Sequence, residues 1–227
     1  MCIKSRSRVF VAIIACIVFC CFAILPSVIA VDKTDVKTIV IDPGHGGLDG
    51  GVSSESGVKE SDLVLSIALC LGEYLESGGF DVVYTRKNKS ALVGGRFVKK
   101  TDMKRRVEIV KKAEADVVVS IHLNSFRDRK RRGIQVFFGD ENSKSFALLM
   151  QSQLNEKFNV VDAGRNFSIL KTDKYILNES PCPAIIIECG FLSNPDDEKN
   201  LLDDEYQHRL AQGIYEGLLL WAFGEGA

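Results

Sequence analysis

The chain alternates short, continuous apolar runs with longer stretches in which apolar residues recur every three or four positions. Continuous apolar runs are typical of strands that are buried on both faces of a sheet. The longer stretches are typical of amphipathic helices. We therefore predict strands at 37–41, 80–85, 117–121, 133–138, 167–170 and 184–188, and helices at 60–77, 101–115, 143–158 and 205–222.

The order of these elements indicates the fold class. Strands and helices alternate along the chain, which is the pattern of α/β domains with a largely parallel sheet. Residues 32–227 have about the length of one ordinary domain, and they contain no internal repeat. We predict a single α/β domain whose largely parallel central sheet has about six strands and is flanked by helices.

Residues 1–31 have a different pattern. Basic residues at the start precede an unbroken apolar run from 9 to 25, as in export signals. Val28-x-Ala30 is an acceptable cleavage site for a signal peptidase. The stretch 9–31 is also just long enough to span a bilayer, so a cleaved signal peptide and an uncleaved membrane anchor both remain open. Either one places residues 32–227 outside the cytoplasm, secreted into the cell envelope or anchored at the membrane.

Charge and cysteine content exclude some classes of protein. The formal net charge is −1, which offers no electrostatic footprint for nucleic acid, so we expect no nucleic-acid partner. Only Cys70, Cys182 and Cys189 belong to the predicted domain, and this odd number without regular spacing argues against a disulfide scaffold. The basic run 127–132 either binds an anionic wall polymer or a partner protein, or it is a solvated loop, which we favour.

Four residues stand where strands or helices end or begin. His45 follows the first predicted strand, His122 follows the third, and Glu188 ends the last. Glu60 begins the first helix. Sites in α/β sheets form where the strands of one direction end. Two His and one carboxylate leave one of the four zinc positions open for water, as in catalytic zinc sites, and Glu188 is then a candidate base.

Each of these residues also has a simpler explanation. A His after a strand is commonly a packed or solvated loop residue, and a Glu at a helix start interacts favourably with the helix dipole. The chain has only three His, and the third, His208, lies in the last predicted helix, where we expect it on the surface. Because no short motif such as His-Glu-x-x-His is present, spacing alone leaves both interpretations open.

The segments around these residues resemble the zinc-dependent N-acetylmuramoyl-L-alanine amidases of the amidase-3 type, which trim bacterial peptidoglycan. The similarity extends from about Lys37 to Trp221. The matching motifs and landmarks are Asp42-Pro43-Gly44-His45-Gly46-Gly47, Gly57-Val58-Lys59-Glu60, Ser120-Ile121-His122-Leu123-Asn124, Glu188-Cys189-Gly190-Phe191-Leu192-Ser193-Asn194, Tyr84-Thr85-Arg86 and Met103-x-x-Arg106.

The resemblance implies a role for each matched residue. His45, Glu60 and His122 would bind Zn2+, and Glu188 would be the catalytic carboxylate in hydrolysis of the amide between N-acetylmuramic acid and L-alanine. Within the family the chain is most similar to the sporulation-specific, CwlD-type branch, which has one catalytic domain behind an N-terminal hydrophobic segment. That branch implies a role in spore cortex maturation, for muramic-δ-lactam formation, and a location in the forespore intermembrane space.

Other functions are open to a chain with these residues. A zinc endopeptidase or sugar deacetylase acting on peptidoglycan would differ only in its products. A wall-binding or scaffold protein could keep zinc without turnover, although Glu188 argues against this. A mechanism with Cys189 as the nucleophile is the least favoured of these alternatives, because we expect Cys189 to be a small packing residue.

The expected partners are peptidoglycan, a membrane for the N-terminal segment, and an envelope protein that stabilises or activates the enzyme. The last expectation follows from the need for restraint, because a wall hydrolase that is always active would threaten its own cell. Between Val136 and Ile169 there is room for only one ordinary helix and a loop, so no autoinhibitory helix is predicted there.

Overall fold

The computed structural model describes residues 36–92 and 98–224. The expected signal peptide or membrane anchor, residues 1–31, lies outside this part of the chain. No helix of the described residues is long and apolar enough to cross a membrane. The elements are β1 (Thr38–Pro43), α1 (Glu60–Ser77), β2 (Asp81–Tyr84), α2 (Lys99–Lys112), β3 (Val117–Asn124), β4 (Gln135–Phe138), α3 (Glu141–Leu154), a π-helical segment (Asn155–Ala163), β5 (Leu170–Lys171), α4 (Tyr175–Glu179), β6 (Ala184–Phe191), α5 (Pro195–Leu201) and α6 (Asp204–Phe223).

These strands form one sheet in the order β2-β1-β3-β6-β4-β5. β1 is parallel to both β2 and β3, and β3 is parallel to β6. β4 is antiparallel to β6, and β5 is parallel to β4. The predicted single α/β domain with a largely parallel sheet of about six strands is therefore confirmed, with one antiparallel pair between β4 and β6.

Alternate residues of the central strands enter two separate cores, as the period of two in a strand requires. Ile39 and Val119 belong to a core that includes residues of α1, α3 and α6, whereas Val40 and Val118 pack with residues of α2 and α4 on the other face. All four side chains are fully buried. Helices on both faces explain why these strands are continuous apolar runs.

The predicted helix 143–158 differs from the observed structure in its second half. α3 ends at Leu154, and a π-helical segment follows. The Ile134 N–H donates to Asn159 Oδ1 (2.7 Å), and the Val136 N–H donates to Gln151 Oε1 (2.7 Å). The two amide side chains thus satisfy backbone groups at β4, an interaction that local periodicity does not report.

Several other boundaries also differ from the prediction. β5 covers only Leu170–Lys171, and α4 is an additional short helix. β3 and β6 continue to Asn124 and Phe191, because these two residues still pair after a register shift. His122 and Glu188 therefore lie inside strands, and the expectation that they follow or end the strands was wrong.

Candidate metal centre and active site

His45 lies in the turn that follows β1. Its φ of 61° is unusual for a residue with a side chain, so the turn must be held by its surroundings. The ring Nε2 is 3.1 Å from Glu60 Oε1, and Nδ1 is 2.9 Å from Asp49 Oδ1. The Asp49 contact lacks hydrogen-bond alignment and is best described as electrostatic. His45 thus faces a carboxylate through each of its nitrogens.

Glu60 is the first residue of α1, and only 2% of it is exposed. Oε1 accepts from the Leu123 N–H (2.9 Å), and Oε2 accepts from the Val52 N–H (3.0 Å). Burial by itself raises the pKa of the Glu60 carboxyl, but hydrogen bonds and charge from His122 and His45 outweigh it and hold that pKa well below its usual range. Glu60 is therefore an ionised, rigidly held carboxylate.

His122 completes a three-residue group from separate parts of the chain. Its Nδ1 is 3.0 Å from Glu60 Oε1, and its ring packs edge-on against the His45 ring with centroids 5.0 Å apart. A side chain at Gly44 would place its Cβ within 2.7 Å of three ring atoms of His122, so glycine is required there. One ligand atom from each of His45, Glu60 and His122 lies within 4.8 Å of the others. This group could bind a metal ion.

Glu188 lies beside this group through strand register. β3 and β6 pair His122 with Glu188, and directly paired residues project from the same face of a sheet. The Glu188 Oε2 atom is buried and has no hydrogen-bond partner among the described residues. Burial raises the pKa of the Glu188 carboxyl, although the nearby His122 opposes the rise. A buried carboxyl oxygen without a structural partner needs a functional explanation.

Arg106, from α2, holds the His45 turn from one side. Its guanidinium donates to Asp42 Oδ1 (2.6 Å), to the Pro43 carbonyl (2.8 Å) and to the His45 carbonyl (2.5 Å). It also donates to Asp102 Oδ2 (2.9 Å). Arg106 is almost fully buried, so these partners satisfy a charge that would otherwise be very costly.

Arg86, which follows β2, holds the same turn from another side. It donates to the Pro43 carbonyl (3.0 Å) and the Gly44 carbonyl (2.6 Å), and also to the Ser61 carbonyl in the first turn of α1 (2.9 Å). One side chain thus connects the turn that carries His45 to the helix that begins with Glu60. Sequence reasoning identified Arg86 and Arg106 as landmarks without giving them this role.

Asp42 and Asp49 are further supporting residues that sequence reasoning missed. Asp42, at the end of β1, also accepts from Thr85 Oγ1 and Ser120 Oγ, both at 2.6 Å. Asp49 lies 2.9 Å from His45 Nδ1, on the side of the ring away from Glu60, which is a common position for a carboxylate behind a His that binds metal. The available signal was an Asp four positions after His45 within a glycine-rich loop.

The four predicted site residues line one cleft of about 530 Å³. Its walls also contain apolar side chains and two lysines: Met103, Ile176, Ile186, Lys99 and Lys174. The three apolar residues come from α2, α4 and β6, and the lysines flank the cleft. The cleft is therefore large enough for a substrate beyond the atoms that react.

The remaining candidate residues from the sequence are not part of this site or have a structural role. Cys189 is buried, and burial raises its pKa well above the usual value, so it is not a thiolate nucleophile. His208 is exposed and lies 3.8 Å from Cys70, outside the site. In the basic run, Arg129 and Arg132 form exposed ion pairs with Glu55 (2.5 Å) and Asp196 (2.7 Å), so part of this run attaches the loop to neighbouring segments.

Comparison with known families shows which family the chain belongs to. The family model described as N-acetylmuramoyl-L-alanine amidase matches residues 39–219. The chain belongs to this family. The amidase is therefore an enzyme of peptidoglycan hydrolysis, and the matched region contains the whole site built above.

Individual relatives agree with this assignment. The germination-specific N-acetylmuramoyl-L-alanine amidase of Bacillus subtilis (strain 168) is 31% identical over 195 residues, covering 84% of this chain and 81% of the relative. The CwlD amidase from Clostridioides difficile, solved in complex with the GerS lipoprotein, is 36% identical with a TM-score of 0.76, covering 82% and 98% of the two chains. An N-acetylmuramoyl-L-alanine amidase from Clostridium difficile 630 is 33% identical with a TM-score of 0.73, covering 85% and 100%.

Proposed function

We propose that the amidase is zinc-dependent, that His45, Glu60 and His122 hold the ion, and that Glu188 transfers the proton during amide cleavage. The observation that carries this proposal is the convergence of the three ligand atoms, with Glu188 paired to His122 across β3 and β6. The substrate is the amide between the lactyl group of N-acetylmuramic acid and the first L-alanine of the stem peptide.

The donor set fits zinc. The Glu60 Oε1 atom lies 3.1 Å from His45 Nε2 and 3.0 Å from His122 Nδ1. Bonds of about 2.0 to 2.1 Å in a tetrahedral zinc site separate neighbouring ligand atoms by about 3.3 Å, so these two distances need only small adjustments. When bound, zinc supplies a Lewis acid that polarises the scissile carbonyl and makes water acidic near neutral pH.

Glu188 supplies the proton transfers of the reaction. Its buried Oε2 takes one proton from the attacking water, whose oxygen forms the new bond to the carbonyl carbon. The carbon–nitrogen bond then breaks as protonated Glu188 returns that proton to the leaving nitrogen. The products are a free lactyl carboxylic acid and a peptide with an N-terminal alanine, so atoms and charge balance. Burial favours the protonated form of Glu188 that the second step requires.

The proposed biological setting is the maturation of spore cortex peptidoglycan, where amide removal prepares muramic-δ-lactam formation. The similarity to a germination-specific amidase and to CwlD supports this setting. We propose that residues 1–31 direct export of the chain. The catalytic domain then lies outside the cytoplasmic membrane, in the cell envelope or the forespore intermembrane space. Whether that segment is cleaved or stays as an anchor is decided by N-terminal sequencing of the mature protein.

Replacing Glu188 with Gln tests the mechanism. The amide keeps the shape of the side chain but accepts no proton, so we expect turnover to fall by about a hundred- to ten-thousandfold while zinc content is unchanged. The measurement is mass spectrometry of muropeptide products together with metal analysis. Near-normal turnover of the variant would assign the proton transfer to another group.

The wild-type products separate the competing functions in the same experiment. A free lactyl carboxylate with N-terminal alanine means amidase, cleavage within the stem means endopeptidase, and released acetate means deacetylase. Zinc binding without any product would indicate a scaffold.

We also propose that an envelope protein stabilises metal binding in this amidase. His45 and His122 keep side-chain exposures of 16% and 23%, so the ligand set is partly open to solvent. The relative that was solved with a lipoprotein supports such a partner. We expect the purified enzyme alone to bind zinc weakly or to work slowly, and a partner that binds the loaded form to raise both. Zinc titration and muropeptide turnover, each with and without native envelope extract, provide the measurement. Tight binding and high activity that the extract leaves unchanged would contradict the idea.

A further inference from the structure

Lys174 differs from the other cationic groups of the cleft, because its ammonium has no partner in the part of the chain that the structure describes. Arg106 is fully engaged by two carboxylates and two carbonyls. The Lys99 Nζ lies 4.0 Å from Asp49 Oδ2, across from the His45 ring. Within residues 36–92 and 98–224, the Lys174 ammonium forms no ion pair or hydrogen bond, although it lines the same cleft as Glu188.

The backbone at Lys174 is held in place. Just before it, the Thr172 N–H donates to the Phe138 carbonyl (2.9 Å), which ties this segment to β4. Just after it, Ile176 and Leu177 are buried in the core of the α2 face. The Lys174 carbonyl also accepts from the Leu177 N–H (3.0 Å). The backbone of Lys174 is thus held on the cleft wall, so that a ligand has to order only its exposed side chain.

Among the described residues, the neighbouring acid forms no ion pair with this lysine. The Asp173 carboxylate accepts a hydrogen bond from the Asn178 side chain, three residues into α4. Several carboxylates line the cleft, among them Asp49, Glu60, Asp173 and Glu188, and they repel an anionic substrate. Burial raises the pKa of the Glu188 carboxyl, and the nearby Lys174 charge is among the influences that oppose this rise.

We propose that Lys174 is a specificity residue that binds a free carboxylate of the stem peptide, the α-carboxylate of the γ-linked glutamate that follows L-alanine. This inference rests on the proposed function. That carboxylate belongs to the residue after the L-alanine, about 6 to 7 Å from the scissile nitrogen along an extended chain. Lys174 lines the same cleft as Glu188, where the amide would lie. Stems whose glutamate is amidated carry no charge at this position and would gain nothing from the lysine.

Two muropeptides that differ only in this group provide the test: N-acetylmuramoyl-L-alanyl-D-glutamate and its D-isoglutamine counterpart. The full-length, zinc-loaded enzyme is expected to prefer the acid. Lys174→Met should lower kcat/KM for the acid about tenfold, mainly through KM, and leave the amide substrate unchanged. Lys174→Arg keeps the charge and should retain the preference.

Lys171→Met is the matched control, because Lys171 is an exposed lysine of β5 that does not line this cleft. It should behave as wild type with both substrates. Equal loss on acid and amide in Lys174→Met, or a wild-type enzyme without preference, would overturn the inference. A wild-type enzyme that releases no N-terminal alanine from either substrate would instead refute the proposed function, so the two failures are distinguishable.

Discussion

At the scale of single residues, the site depends on glycines that leave space for the side chains of His122 and Glu60. Gly44 leaves the space that the His122 ring occupies, and a Cβ there would come within 2.7 Å of three ring atoms. A similar restriction holds at Gly51, whose φ is +69° and whose added Cβ would meet the Glu60 carboxylate. Glycines on neighbouring loops thus restrict the orientation of two of the three proposed ligands, His122 and Glu60.

The first prediction at this scale is that Gly44→Ala weakens zinc binding without unfolding the protein. The ring of His122 has to move away from the new methyl group. We expect a loss of about ten- to a hundredfold in zinc affinity, as for changes in groups that orient a metal ligand. Competition titration with a chromogenic chelator measures the zinc affinity, and circular dichroism monitors the fold.

Gly50→Ala is the control for this variant, because the nearest atom to the added Cβ is the flexible Lys59 Cδ at 3.2 Å. It should keep wild-type zinc affinity. If Gly44→Ala also bound zinc normally, the position of the His122 ring would not depend on this glycine.

At the scale of secondary-structure elements, two kinds of contact assemble the site. Strand register places Glu188 beside His122, since β3 and β6 pair these residues directly. Side-chain contacts position the other residues, because Arg86 and Arg106 connect the turn after β1, which carries His45, to α1 and α2. The landmark motifs of the family thus have a physical explanation as a clamp on the His45 turn.

The second prediction follows from this clamp. Arg106→Lys keeps the charge but cannot supply the forked donors that reach Asp42, Asp102 and the carbonyls of Pro43 and His45. We expect the free energy of unfolding to fall by about 2 to 4 kcal/mol, since buried partners lose hydrogen bonds. Urea denaturation measures this loss.

The adjacent Arg105→Lys is the matched control. Arg105 is exposed and pairs only with Glu108 on the surface (2.7 Å). Such pairs contribute little, so the change in unfolding free energy should stay below about 0.5 kcal/mol. Equal effects of the two variants would show that the clamp does not stabilise the domain.

At the scale of the whole molecule, the stability of the domain should depend on pH through Asp42. Burial raises the pKa of the Asp42 carboxyl, but Arg106, Ser120 and Thr85 outweigh it, so this pKa lies below its ordinary value of 3.8. A group whose pKa is depressed on folding stabilises the native state above its unfolded pKa. That stabilisation is lost as pH falls through the folded value.

The third prediction is that Asp42→Asn destabilises the protein most at neutral pH. Breaking this buried pair should cost about 3 to 5 kcal/mol at pH 7, and the difference from wild type should shrink as pH falls below about 4. Urea denaturation at several pH values measures it, with Asp81→Asn at an exposed position of β2 as the control. A difference that stays constant down to pH 3 would contradict the linkage.

The sequence by itself determined the architecture and the kinds of residue in the site. Continuous apolar runs predicted the central strands, because helices cover both faces of the sheet. The motifs around His45, Glu60, His122 and Glu188 indicated the family, and the family model confirms that indication over residues 39–219. These features are local, so a linear pattern can report them.

Only the tertiary structure decided how those residues meet. The extension of β3 and β6 past their predicted ends, the reversed direction of β4, and the π-helical segment after α3 all depend on pairing between distant segments. The same holds for the clamp of Arg86 and Arg106 and for the unpartnered Glu188 oxygen. Local propensity specifies the period of an element, but register and hydrogen-bond partners are selected by the packing of the whole domain, where most buried polar groups must find a partner.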